Sequence, residues 1–291
     1  MHVGFVGTGN MGRPMAANIL KAGHPLIVYD VNRQAAEPLR RAGATVAPDL
    51  VTLARSVRMT LTSLPNDAVV ETVIFGATPG AGLIDGARAG DVVFDLSTVS
   101  PATTRRLAAR AAERGVRLID APVSGSVSGA VAATLAVMIG ATEESAKAYD
   151  PVFRAIGRSI FYLGEVGKGN ILKLLNNSVA LTNQAVLCEA MALADRLGVP
   201  RDVVGEVLGK SSGASFILER KLAALCARDY RAGFFVDLAR KDLTLALELA
   251  ESAGARAAVV REAWKLYGEA SEKGFGTLDS SGVLTLLQPP A

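Results

Sequence analysis

Three glycines carry the first chemical signal of this chain. Gly7, Gly9 and Gly12 stand at GxGxxG spacing within Phe5-Val-Gly-Thr-Gly-Asn-Met-Gly-Arg-Pro14, directly after the apolar run from His2 to Val6. Gly7 permits a tight turn, Gly9 puts no Cβ in the path of a phosphate, and Gly12 lets a following helix pack close to the strand with its amides aimed at the anion. The motif alone also fits a glycine-rich turn that binds nothing, so its surroundings decide. An amphipathic segment from Met11 to Ala22 follows, Gly23 ends it, and a second apolar run, Pro25 to Tyr29, stops at Asp30. An acidic side chain there can accept from both hydroxyls of an adenosine ribose. Thr8, Asn10 and Met11 complete the loop expected around a dinucleotide pyrophosphate. Asp30 favours NAD, while Arg33, three residues on, can receive a 2′-phosphate and keeps NADP open.

An enzyme that reduces a carbonyl with such a cofactor needs a proton donor beside the reacting carbon. The chain has two histidines, His2 at the start of the first strand and His24 in the turn before the second, and neither reaches the carboxyl ends of the strands. No tyrosine has a lysine four positions later. Lys173 is the leading candidate. It follows Gly164-Glu-Val-Gly-Lys-Gly169 and sits four residues before Asn177, one turn away on the same helical face. Two polar residues on the apolar segment Ile171 to Leu175 read either as the lining of a cavity or as a snorkelling lysine beside a solvated asparagine. The preceding glycines suggest that the helix approaches a flat ring. Asp120-Ala-Pro-Val-Ser-Gly-Ser-Val-Ser-Gly-Ala130 reads as a carboxylate nest or as a flexible loop. Lys241-Asp242 interrupts an apolar helical pattern, where an exposed ion pair is the default.

These residues need a scaffold. Strands at Val57 to Leu61, Val92 to Phe94, Arg117 to Ile119 and Leu135 to Ile139 alternate with helices at Asp67 to Phe75, Pro101 to Arg114 and Glu143 to Ala155, the pattern of a doubly wound, mostly parallel sheet. After Tyr162 the strand signals stop. A helix from 168 to 197 is expected, about 45 Å long, followed by helices near Arg201 to Leu208, Phe216 to Ala227, Leu238 to Ala253 and Arg256 to Lys273. The expected architecture is an α/β Rossmann domain, residues 1–163, followed by an all-α domain, residues 164–291, joined by the long helix. At 291 residues, half of them apolar, the chain can bury full cores.

A net charge of +3 without long like-charge runs gives no nucleic-acid footprint. No apolar stretch approaches the ~18 residues of a membrane span, and the first strand begins at residue 2, so a cytoplasmic protein is expected. Cys188 and Cys226 fit no metal or redox spacing, and no metal is expected.

Six ordered segments, Gly4 to Asn18, Leu64-Pro-Asn66, Asp95-Leu-Ser-Thr98, Asp120 to Gly125, Gly164 to Asn177 and Lys241-Asp-Leu243, resemble the β-hydroxyacid dehydrogenase family over nearly the whole chain. The resemblance implies that Leu64, Pro65, Asn66 and Thr98 line the cofactor and that Ser124, Gly125 and Ser126 hold a substrate carboxylate. It further implies that Lys173 is the general acid/base, that Asn177 positions the substrate, and that Lys241 lies near both nicotinamide and substrate and closes the cleft. Two departures stand out. The family commonly has Gly-Gly where this chain has Gly125-Ser126, and Asn170 stands where related 6-phosphogluconate dehydrogenases have histidine.

The implied reaction interconverts a small 3-hydroxy acid and its semialdehyde. Neutral Lys173 takes the hydroxyl proton as hydride leaves for the nicotinamide, and the ammonium returns it in reduction. A free lysine titrates about three units above neutrality, so burial and a neighbouring cation such as Lys241 are expected to lower that value. The alternatives are a non-catalytic dinucleotide-binding protein and an imine reductase; retention of Lys173 argues against the latter. The apolar surface of the long helix points to a homodimer or homotetramer through the α domains.

Overall fold

The computed structural model describes residues 2–231 and 233–288. Two compact units make up the chain, Met1–Lys173 and Leu174–Ala291. In the first, strands β1 (Val3–Val6), β2 (Leu26–Tyr29), β3 (Thr45–Val46), β4 (Met59–Thr62), β5 (Val92–Asp95) and β6 (Arg117–Asp120) alternate with helices α1 (Gly12–Lys21), α2 (Arg33–Arg41), α3 (Leu50–Ser56), α4 (Asp67–Phe75), α5 (Leu83–Gly86) and α6 (Pro101–Ala112). The strands form one parallel sheet in the order β3-β2-β1-β4-β5-β6.

Alternation along β1 shows why both faces are covered. Val3 and Phe5 point into one cluster with Met15, Ile19 and Leu39, whereas Val6 joins Leu53, Val57 and Ile74 in the other. Gly4 lies under α3, where a Cβ would come within 2.6 Å of the Leu53 side chain. Each fully buried leucine or phenylalanine in these layers contributes about 1.5–3 kcal/mol.

The sheet departs from the sequence reading after β6. Leu135–Ile139 is a strand, β8, but it belongs to a separate three-stranded sheet with β7 (Val123–Ser124) antiparallel on one side and β9 (Gly157–Tyr162) parallel on the other. The Ala121 amide still donates to Asp95 of β5, while the Gly140 and Met138 amides donate to the Asp120 and Pro122 carbonyls, an antiparallel approach that keeps β8 out of the parallel ladder. The segment read as a nest or loop contains helix α7 (Ser126–Val131). The helix expected from Glu143 to Ala155 is broken into α8 (Glu143–Ala146), a 3₁₀ turn and α9 (Asp150–Ile156). Pro151 is the cause: in the first turn of α9 its missing N–H costs nothing, whereas inside one continuous helix it would remove a bond and clash.

Helix α10 (Lys168–Leu197) runs 30 residues and ends where Gly198 adopts φ +71° ahead of Pro200. Amides of Gly198 and Val199 donate back to Asp195 and Ala194, closing its last turn. The second unit continues with α11 (Arg201–Gly209), α12 (Phe216–Ala227), α13 (Val236–Ser252), α14 (Ala258–Ala270) and α15 (Val283–Leu287). The last long helix stops at Ala270, short of the expected Lys273, because a π-helical turn with Gly274 at φ +87° follows. Leu181, Cys188 and Met191 of α10 pack with Leu225, Val236, Leu243, Tyr267 and Val283. Burial pushes the Cys188 thiol up to about 12, so it is an inert core residue.

Along α10, Leu172, Leu175, Val179, Val186, Leu193 and Leu197 are all more than 40% exposed. Among the described residues no helix is long and apolar enough to cross a membrane, and no group of three or more His, Cys, Asp or Glu could hold a metal.

Candidate active site

Parallel strands place their carboxyl ends along one edge, and the sequence-predicted residues of the first unit collect there. The Gly7–Gly12 loop follows β1, Asp30 follows β2, Leu64 to Asn66 follow β4, Thr98 follows β5 and Ser124 to Ser126 follow β6. The chain winds outward from β1 to β3 and then returns to β4 beside β1, so the loops after β1 and β4 diverge at a topological switch point.

The three glycines have different reasons. Gly7 has φ +88°, and a Cβ there would lie 2.3 Å from the Ser63 carbonyl oxygen. A Cβ on Gly12 would lie 1.8 Å from the Gly7 carbonyl oxygen, so α1 can start only where it does with glycine in that place. At Gly9 a Cβ would meet nothing within 4 Å. The protein itself makes no demand for glycine there, which is what a loop shaped to receive a phosphate requires.

Asp30 Oδ2 accepts from the Thr8 amide at 2.7 Å and from the Thr8 hydroxyl at 3.1 Å, and Oδ1 accepts from the Asn32 amide at 2.8 Å. Asp30 thereby fixes the glycine loop as well as standing at the expected ribose position. Asn32 caps α2, and Arg33 is exposed at its first turn. Asn66 caps α4 by accepting from the Val69 amide at 3.0 Å. The Leu64 amide donates to Ser97 Oγ at 2.9 Å. Ser97 Oγ in turn donates to Asp95 Oδ1 at 2.5 Å, and Thr62 Oγ1 donates to the same oxygen at 2.7 Å. One buried carboxylate thus ties together the two loops that carry Leu64 and Thr98. Burial pushes the Asp95 pKa up, against the hydroxyl donors that hold it down.

Gly125 has φ +141°, and the next residue, Ser126, is held at φ +62°, a region that costs a non-glycine residue ~1 kcal/mol or more. The Ser126 and Ser128 hydroxyls lie 2.9 Å apart, and Asn18 of α1 donates to the Ala130 carbonyl at 2.7 Å, fastening the turn to the glycine-loop helix.

Lys173 and Asn177 lie one turn apart on α10 and are 9% and 7% exposed, so the apolar segment around them holds two buried polar groups. Asn177 Nδ2 donates to Asp242 Oδ2 at 2.6 Å, and Lys241 Nζ stands 3.0 Å from Asp242 Oδ1. The expectation of an exposed Lys241–Asp242 pair is corrected: Asp242 is 2% exposed and links Asn177 to Lys241. The glycine-rich turn before Lys173 also has another basis than a flat ring. A Cβ on Gly169 would fall 2.3 Å from the Met138 carbonyl and 2.8 Å from Asp120 Oδ2, and one on Gly167 would strike the Arg105 side chain. Asp95, Asp120 and Asn170 are buried organisers to which sequence reasoning gave no role, although each stands in a segment that carries the family resemblance.

Known proteins resemble this chain along nearly its whole length. Residues 2–164 match a family described as the NAD binding domain of 6-phosphogluconate dehydrogenase, and residues 167–287 match one described as NAD-binding of NADP-dependent 3-hydroxyisobutyrate dehydrogenase. The chain is 37% identical to 2-(hydroxymethyl)glutarate dehydrogenase of Eubacterium barkeri, covering 97% of this chain and 93% of that protein. It is 35% identical to 3-hydroxyisobutyrate dehydrogenase of Pseudomonas aeruginosa, covering 98% and 97%. The crystal structure of 3-hydroxyisobutyrate dehydrogenase from Salmonella typhimurium superposes with a TM-score of 0.90 at 30% identity over 98% of this chain and 99% of that one.

Proposed function

Because this chain belongs to the β-hydroxyacid dehydrogenase family and is an NAD(P)-dependent oxidoreductase acting on CH–OH groups, we propose that it interconverts a small 3-hydroxy acid and its semialdehyde with Lys173 as the acid/base. The observation that carries this reading is the burial of Lys173 on an apolar helical segment with Asn177 one turn beyond.

The residues around the glycine loop fit a dinucleotide: the open position at Gly9 for the pyrophosphate, Asp30 for the adenosine ribose, and Leu64, Pro65 and Thr98 along the ring. A nicotinamide held there would accept hydride from the carbinol carbon in oxidation and supply it to the carbonyl carbon in reduction. Lys173 Nζ removes the hydroxyl proton in oxidation and returns it to the forming alkoxide in reduction. Amides around Gly125 and Ser126 hold the substrate carboxylate, which fixes the carbon that reacts. Asn177, oriented by Asp242, holds the substrate oxygen, and Lys241 pairs with the same carboxylate.

Asp30 supports NAD as the preferred cofactor. The apolar row on α10 supports a homodimer or homotetramer built through residues 164–291, with residues 1–163 as the cofactor domain. Its two free cysteines suit work in the cytoplasm.

The test is Lys173→Ala. Turnover falls about 10² to 10⁴-fold while NADH affinity stays near wild type in a fluorescence titration. Near-wild-type turnover with 3-hydroxyisobutyrate, L-serine and related 3-hydroxy acids would remove Lys173 from the reaction.

A further inference from the structure

The first turn of α10 carries amides that no residue within the helix can satisfy. One of them, together with the amide of Gly167 just before the helix, is taken by a residue far back in the chain. The Gly167 amide donates to Asp120 Oδ1 at 2.7 Å and the Asn170 amide to Asp120 Oδ2 at 2.8 Å. Asp120 ends β6 and is fully buried. Its carboxylate sits in a cage that only glycine leaves open: a Cβ on Gly140 would lie 2.1 Å from Oδ1, and one on Gly169 would lie 2.8 Å from Oδ2.

The same turn is held from a second side. The Asn170 side chain, also fully buried, accepts from the Val99 amide at 3.2 Å through Oδ1 and donates to Thr104 Oγ1 at 3.2 Å through Nδ2. The start of α10 is therefore fixed to β6, to the turn after β5 and to α6. A local cap would have stabilised the helix as well, and Glu165 is near enough in sequence to provide one. Its side chain pairs instead with Lys168 at 3.4 Å on the surface. A cap drawn from a strand some fifty residues earlier does something a local cap cannot: it sets the axial position of the helix against the strand ends. Lys173 lies three and four residues beyond Asn170 and Gly169, on the same face and one turn on.

We propose that Asp120, acting with Asn170, is the positioning residue for Lys173, holding its amine at the height of the reacting oxygen above the strand ends. This rests on the acid/base reading of Lys173. Asparagine at 120 would turn an amide donor toward one of the two backbone donors, breaking one bond and adding repulsion. Displacement of a reacting group by ~1 Å lowers rate about 10²-fold.

The experiment compares Asp120→Asn with the shape-preserving Thr104→Val, which removes the acceptor for Asn170 Nδ2. Lysine acetylation by a water-soluble succinimidyl ester is followed peptide by peptide in the unliganded protein, alongside NADH affinity and turnover with 3-hydroxyisobutyrate and L-serine. We expect Lys173 acetylation to rise at least fivefold in either variant while Lys21 and Lys147 keep their wild-type rates. NADH affinity should stay within threefold, and kcat should fall tenfold or more in Asp120→Asn with the KM for NAD unchanged. Should Asp120→Asn fail to fold, Thr104→Val decides on the same labelling readout. Lys173 labelling within twofold of wild type in a folded variant overturns the proposal, as does a uniform rise at all lysines, which marks a merely structural role. If instead Lys173→Ala keeps turnover, the acid/base reading fails while the labelling result still reports whether Asp120 fixes the helix.

Discussion

Gly9→Ala separates what the glycine loop does for the protein from what it does for the ligand. A Cβ at Gly9 meets no atom within 4 Å, and its φ lies outside the positive range, so alanine fits the folded chain without strain. Removing glycine's freedom from the unfolded state then stabilises the protein by about 0.4–1 kcal/mol, a rise in Tm of roughly 1–4 °C for units of this size. The ligand side has the opposite sign. One methyl in a close-packed contact costs about 1–3 kcal/mol, which weakens NADH binding ~5- to 150-fold. Scanning calorimetry of the unliganded variant and a titration of NADH fluorescence read the two effects separately. Gly12→Ala and Gly7→Ala are the controls: clashes at 1.8 and 2.3 Å with backbone oxygens should lower Tm before any ligand is added. NADH affinity within twofold of wild type in Gly9→Ala would show that the phosphates do not pass Gly9.

Three further outcomes are expected. Because burial raises the folded pKa of Asp95, its stabilising contribution is present below the ordinary carboxylate range and is lost as pH rises through the folded value; Asp95→Asn lacks that dependence. The Tm of Asp95→Asn relative to wild type should therefore increase from pH 4 to pH 8, and a constant difference would contradict the sign. With Asp30 at the end of β2, kcat/KM should favour NADH over NADPH, and a tenfold preference for NADPH would show that Arg33 takes a 2′-phosphate. Light scattering at micromolar concentration should give a dimer or tetramer; a monomer would leave the apolar row on α10 without a partner.

Elements bounded by local punctuation were legible in the sequence. Helix α10 lies between Lys168 and Leu197 as read, because Gly198 and Pro200 mark its end, and α12 matches Phe216 to Ala227 because Ser215 caps it and Arg228 leaves the helix at φ +53°. What could not be read depends on contacts far apart in the chain. Whether Leu135–Ile139 extends the parallel sheet or starts a second one is decided by its partners, Val123–Ser124 and Gly157–Tyr162, not by the strand's own residues. Asp120 stands in a conspicuous motif, yet its partners lie 47 and 50 residues away. Asp242 looked solvated beside Lys241, and only the path of α10 and α13 reveals that Asn177 covers it.

The apolar row from Leu172 to Leu197 also affects how the protein must be handled. Apolar area left in water forgoes roughly 25 cal/mol per Å², so whatever covers that face stabilises the folded chain by mass action. Apparent melting temperature should then climb with protein concentration, and activity should decay on dilution into dilute assay buffer. Sulfate or phosphate, which strengthen apolar association, should slow that decay. Storage lifetime and assay reproducibility would follow from one face of one helix.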